Sequence, residues 1–246
     1  MKRMLTALSI VLLSAMFILG CDGGEDISDA SANVTSTPEE TVVLNGIVVT
    51  DDPLGSMVQA INTRGETSDE APVDAKGHFS LDIDNDGPYM LRLIHRDRED
   101  ELFSFATSAG HVNLTPLTHL AMYIAIGDHM ALQDLFHEWD GSQLSPEEVQ
   151  MAAATVNANL APLLNRQGLD HRTYDFFRTD FKSDGTGMDA VLDTVRIHID
   201  PAETLSRSIQ ILDASGSPLL TFDLANPAAN TPASSAIVQQ KEGESQ

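Results

Sequence analysis

Cys21 is the only cysteine in the 246-residue chain, and its surroundings give that thiol a defined chemistry. Lys2 and Arg3 make a positive start. Met4 to Phe17 is an apolar run broken only by Thr6, Ser9 and Ser14, and Ile18-Leu19-Gly20 lead into Cys21. A basic end, a short apolar core and a small residue at the cut are the parts of a secretory signal. The run is shorter than the roughly 20 residues of a bilayer-spanning helix. An uncleaved membrane helix and a signal cut elsewhere are the alternatives, and because Cys21 sits where a thiol is required and no other Cys competes, the stretch reads as a processing and lipidation site. Other nucleophiles are hard to find. There is no Gly-x-Ser-x-Gly elbow, no phosphate-binding loop follows a strand, and Lys76 and Lys182 sit in polar surroundings. A hydrolase built on dispersed carboxylates stays open, because paired acids leave no local signature.

Three polar constellations suggest metal chemistry. Asp82-x-Asp84-x-Asp86-Gly87 opens like an EF-hand calcium loop, but the twelfth position, which should be a bidentate Glu, is Leu93. A solvated hairpin turn is the expected reading. Asp184-Gly185-Thr186-Gly187, with Asp189 and Asp193, places hard oxygen ligands around a turn. The expected reading there is a tight turn with Asp189 near a helix N-terminus. His129, Asp134, His137 and Glu138 share one stretch, yet position 141 is Gly and not the second His of a zinc helix. These read as surface residues, and no cofactor or metal site is assigned. His111 and His119 flank a change in sequence periodicity and are expected to be hydrogen-bonded joint residues.

The charge narrows the partners. The chain carries 37 acidic against 14 basic side chains, a formal charge of −23. Loss of residues 1–20 removes two basic and no acidic residues and gives −25. Such a surface repels the nucleic-acid backbone instead of releasing its counterions. Basic partners and divalent cations are favoured. With Cys21 used, no disulfide is available.

The elements that would position these residues follow from periodicity. Residues 22–40 are Asp, Glu, Ser, Thr and Ala with almost no large apolar side chain, which predicts a disordered acidic tether over 21–41. From Thr41 to Leu114, short alternating runs are separated by turn clusters, which predicts an antiparallel β-sandwich over 42–114. Thr67–Pro72 reads as a turn. At Asn113-Leu114-Thr115-Pro116-Leu117-Thr118 the period changes from 2 to 3.6, with Thr115 as helix cap and Pro116 at the first helical position. Ser145-Pro146-Glu147-Glu148 is a second start, a Ser cap with a Glu three residues on. Pro162 should break or kink that helix, and Leu169–Phe181 reads as a short helix and loop. A helical region is thus expected over 115–193. Val195 to Ile199, Ser208 to Leu212 and Pro218 to Phe222 then predict a three-strand antiparallel unit within 194–225, followed by a disordered tail over 226–246. The fold class is α+β.

Several resemblances add expectations. Ile18-Leu19-Gly20-Cys21 resembles the bacterial lipobox, with Leu19 bulkier than usual at its position. That resemblance implies a diacylglyceryl thioether on Cys21, which becomes the mature N-terminus and anchors the chain to a membrane of the bacterial envelope. Asp22 looks like the inner-membrane retention signal of enteric lipoproteins, and the choice between inner and outer membrane stays open. Gly46-Ile47-Val48, Val58-Gln59-Ala60, Asp74-Ala75-Lys76-Gly77-His78-Phe79 and Pro88-Tyr89-Met90-Leu91-Arg92 resemble the carboxypeptidase regulatory-like, or transthyretin-like, module. This implies a seven-stranded spacer sandwich with no catalytic residues to transfer. The order of parts over 42–224 is similar to that of uncharacterised bacterial envelope lipoproteins. The reading that emerges is a lipid-anchored, non-enzymatic binding or spacer protein that meets a protein or glycan in the envelope, with a calcium-dependent module and a carboxylate hydrolase as the alternatives.

Overall fold

The computed structural model describes residues 40–50, 53–95, 101–127, 130–199, 208–213 and 215–223. Cys21 with its signal, the acidic tether, His129 and the C-terminal tail lie outside the described residues.

The described chain is α+β. Strands β1 (Thr41–Ile47), β2 (Ser56–Ile61), β3 (Ala71–Pro72), β4 (His78–Asp84), β5 (Tyr89–His95), β6 (Leu102–Ala106) and β7 (Gly110–His111) come first. Helices α1 (Pro116–Ile126), α2 (Leu132–Glu138), α3 (Pro146–Asn159), α4 (Ala161–Arg166) and α5 (Gly187–Thr194) follow. Strands β8 (Val195–Ile199), β9 (Ser208–Asp213) and β10 (Pro218–Asp223) close the order. Three sheets form, ordered β4-β1-β7, β3-β2-β5-β6 and β10-β9-β8.

The first two sheets share one buried cluster. Leu44 of β1 and Phe79, Leu81 and Ile83 of β4 meet Val58 and Ala60 of β2 and Tyr89, Leu91 and Leu93 of β5. The period-2 alternation of each strand puts these side chains on one face. The second sheet is buried on its other face as well. Ile61, Met90, Phe103 and Phe105 leave it for a second cluster built with Leu117, Leu120, Leu135, Phe136, Val149 and Val156 of the helices. Double-faced burial explains why Tyr89-Met90-Leu91 is apolar without a break. The last sheet adds Val195 and Ile211 to this second cluster.

Two glycines are fixed by close approach. A Cβ on Gly46 would run into the Val112 carbonyl, because β7 and the residues after it lie hard against β1. Gly77 has φ +84, and a Cβ there would collide with the Val48 carbonyl. The Asp74 carboxylate completes that hairpin by accepting the Lys76 and His78 N–H groups at 2.8 and 2.9 Å.

The structure departs from the sequence expectations in three places. The β1–β7 pairing is parallel, so the first sheet is not wholly antiparallel. Thr67–Pro72 contains the short strand β3, paired to Met57 and Val58. Leu169–Phe181 forms turns and no helix, and there Phe176 and Phe177 are buried through loop geometry.

Helix starts behave as their chemistry requires. Thr115 and Thr118 form a reciprocal capping box over α1, and Thr118 Oγ1 also donates to the Phe103 carbonyl at 3.2 Å. Ser145 and Glu148 form the equivalent pair over α3. That helix ends at Asn159, and Pro162 sits in the first turn of α4.

Between sheets and helices stands Asn113, fully buried. Its N–H donates to the Phe177 carbonyl at 2.7 Å, and its own carbonyl accepts Ser104 Oγ–H at 2.6 Å. Nδ2 donates to the Phe176 and Thr179 carbonyls at 3.0 and 2.9 Å. Oδ1 lies 2.7 Å from His111 Nε2. Removing the side chain strands buried carbonyls at about 1–3 kcal/mol each. Asn113→Ala is therefore expected to destabilise the fold by at least about 2 kcal/mol in chemical denaturation. A loss within the ±0.5 kcal/mol or so typical of surface substitutions would contradict this role.

Candidate functional site

One face of α3 and the irregular segment 171–178 enclose a cleft of about 610 Å³. This is within the roughly 300–1,000 Å³ range of small-molecule sites. Its apolar lining includes Phe105 of β6, Val149 and Ala153 of α3, and Phe177. Ala153 is only partly buried although its α3 neighbours Val149, Ala152 and Val156 are buried, because it faces this opening.

The outer wall is held by long-range hydrogen bonds. Asn157 of α3 donates Nδ2–H to the Tyr174 carbonyl at 2.7 Å, and Asn113 grips the Phe176–Thr179 backbone as described. Arg178 donates Nη1–H to the Ser108 carbonyl at 3.1 Å and Nη2–H to the Ala109 carbonyl at 2.9 Å. Asp175 Oδ1 accepts the Phe177 and Arg178 N–H groups at 2.9 and 3.2 Å. The charged lining is thus Arg172, Arg178 and Asp175, with His171 beside them. Tyr174 also lines the cleft, and burial together with the Asp175 charge pushes its hydroxyl up to about 12. It stays a neutral hydrogen-bond donor at physiological pH. Asn157 is nine-tenths buried, and its Oδ1 has no hydrogen-bond partner among the described residues. This arrangement can bind an anion with an apolar body. It does not present a nucleophile beside a base.

None of the described sequence candidates lines this cleft. Asp84 and Asp86 face a cation from their own chain: Arg64 sits 3.5 Å from Asp84 and 2.6 Å from Asp86, and also 2.7 Å from Glu66. The Glu66 carboxyl is held low by the Asn62 side-chain amide and by Arg64. The EF-hand-like opening is thus an acidic turn wrapped around a guanidinium. Asp189 is buried and accepts the Gly185 N–H at 2.7 Å and the Ser183 hydroxyl at 3.3 Å. Asp184 accepts the Thr186 hydroxyl at 2.6 Å, which keeps its carboxyl low. Asp193 is exposed on α5, and Asp134, His137 and Glu138 are exposed on α2. Among the described residues no group of three His, Cys, Asp or Glu is arranged to hold a metal ion.

The two joint histidines are engaged. His111 meets Asn113. His119 Nδ1 accepts the Phe103 N–H at 3.1 Å, its ring stacks on Phe103 at 5.8 Å, and it meets the edge of Tyr123 at 4.9 Å. Burial pushes its pKa down to about 3.

Sequence reasoning missed Arg172, Arg178, Asn157 and Tyr174. One signal was available: Arg166, Arg172, Arg178 and Lys182 are four of only 14 basic residues and fall within 17 positions that hold just three acids. Comparison with protein-family models, with curated proteins and with solved structures finds no match for this chain.

Two outcomes follow from this geometry. The depressed His119 pKa means the folded state holds a neutral imidazole while the unfolded chain takes up a proton. Stability is full above about pH 6.5 and falls as pH drops toward 3, by at most about 1.4 kcal/mol per pH unit. His119→Gln, which keeps an acceptor for Phe103 N–H but cannot titrate, is expected to flatten denaturation midpoints between pH 6.5 and 4.5. Retention of the full slope would show the proton goes elsewhere. Because Arg64 already fills the acidic turn, millimolar calcium is expected to leave the melting temperature unchanged in a thermal scan.

Proposed function

We propose that this chain is a lipid-anchored protein of the bacterial envelope whose folded body binds a ligand or partner and catalyses no reaction. The observation that carries the anchor is the run from Lys2-Arg3 through an apolar core to Ile18-Leu19-Gly20-Cys21, with Cys21 the single thiol of the sequence. Acyl chains on that sulfur would each bury many CH₂ groups at about 0.8 kcal/mol apiece, enough for stable attachment. No helix among the described residues is long and apolar enough to cross a membrane.

The binding reading is supported by the cleft, whose lining pairs arginines with an apolar floor. It is also supported by Asp84 and Asp86, which face Arg64, and by Asp184 and Asp189, which accept backbone and hydroxyl donors. We further propose that β1 to β7 form a β-sandwich of the carboxypeptidase regulatory-like kind, acting as a rigid spacer. Seven strands in sheets of three and four around a common core support this, as do Gly46, the Asp74–Phe79 hairpin and the Tyr89 strand. The parallel β1–β7 pair is a departure the module would have to accommodate.

The test is Cys21→Ser in the native envelope. The wild-type chain is expected in the membrane fraction with an intact mass that lacks residues 1–20 and carries acyl chains. The variant is expected to keep its unprocessed mass and to gain no lipid. Membrane-bound variant protein of the same size as wild type would sink the lipoprotein reading.

A further inference from the structure

We propose that the cleft between α3 and residues 171–178 is a binding site for a small monocarboxylate with an apolar body, the carboxylate held by Arg172 and Arg178. The proposal deepens the binding reading above and does not depend on the anchor.

The charge argument comes first. In a chain of formal charge −23, the cleft lining carries two arginines against one aspartate, with His171 and the neutral Tyr174 as the other titratable groups. This local excess of one positive charge matches a monoanion. A dianion such as a phosphate monoester would leave negative charge uncompensated beside Asp175. The two arginines are differently prepared. Arg178 is oriented in advance by the Ser108 and Ala109 carbonyls, so little freedom is lost when it meets an anion. Arg172 donates its backbone N–H to Asp170 at 3.1 Å, and its guanidinium has no partner among the described residues. A planar guanidinium with open N–H groups is matched to a carboxylate, which it can grip through two parallel bonds.

The rest of the lining fits an apolar body. Phe105, Val149 and Phe177 give the cleft its apolar surface, with Ala153 as a small residue that leaves room above it. Tyr174 remains a neutral donor.

The site also carries its own reporter. Trp139 is the single tryptophan of the sequence, and it packs edge-on against Phe105 with ring centroids 6.1 Å apart. A ligand lying on Phe105 should change its fluorescence.

The experiment is titration of the full-length chain in dodecyl maltoside with 4-phenylbutyrate, 4-phenylbutanol and phenyl phosphate, reading Trp139 emission with ligand-only micelles subtracted. 4-Phenylbutyrate is expected to saturate the signal with a dissociation constant at or below about 1 mM, and the alcohol and the phosphate to bind at least about tenfold more weakly. Arg172→Gln, a change at an exposed side chain, is expected to weaken 4-phenylbutyrate about tenfold while leaving thermal melting unchanged. Ala153→Phe, which fills the floor, is expected to abolish the response with helix content retained. The proposal is overturned by absence of saturation, by equal or tighter binding of 4-phenylbutanol or phenyl phosphate, or by a response that neither substitution alters. Loss of the anchor in Cys21→Ser would leave all of these results unchanged, so the two readings fail independently.

Discussion

Asn113 is the constraint on which the arrangement turns. It sits where the chain leaves its strands and enters its helices, and every polar group it owns is matched inside the protein. Sheet, helix start and irregular segment are joined through one residue: Ser104 from β6, His111 from β7, and the carbonyls of Phe176, Phe177 and Thr179 from a segment more than 60 positions away. A buried amide is stable only when its donors and acceptors find partners. Here the matching fixes where residues 174–179 run, and that course makes the outer wall of the cleft. Arg178, inside that course, thus owes its position in part to an amide that does not line the cleft.

The middle sheet plays the corresponding role for packing. Its strands supply alternate side chains to two clusters, so the helical layer cannot shift without disturbing the face that meets β1 and β4. Arg92 shows how tightly this interface is used. It is the one charged residue in the middle of β5, yet its guanidinium lies 4.5 Å over the Phe136 ring and its N–H groups donate to Gln59 Oε1. The stem packs while the charge finds an aromatic face and an amide, the arrangement that lets arginine occupy a half-buried site.

What could be read from the sequence was local. The Thr115-Pro116-Thr118 and Ser145-Pro146-Glu148 caps, the Asp74–Phe79 hairpin, the helix after Gly185 and the paired β9 and β10 each depend on residues within a few positions of one another, and each formed where its chemistry placed it. The parallel β1–β7 pair was not legible, since a two-residue strand has no period of its own and is defined by its neighbour. Residues 169–181 were not legible for the same reason: Asn113, Asn157 and Ser108 are far off in sequence, and no periodicity announces a hydrogen bond to a loop carbonyl. The acidic run Asp82–Asp86 was legible as a turn, but the cation inside it came from Arg64, in the loop after β2 of the other sheet. At the cleft, only the local clustering of basic residues was visible in advance, and without the fold it had no geometry.

The place where the chain enters its fold has a mechanical meaning. Thr41 begins β1, and β1 is the middle strand of its sheet, flanked by β4 on one side and β7 on the other. A pull arriving through the residues that precede Thr41 and directed along β1 loads both flanking ladders lengthwise and together. An edge strand in that position would load a single ladder. Load along β1 is therefore shared by two ladders from the outset, so if the chain is held through its N-terminal segment, as proposed, the force enters the domain at a strand that has no free edge.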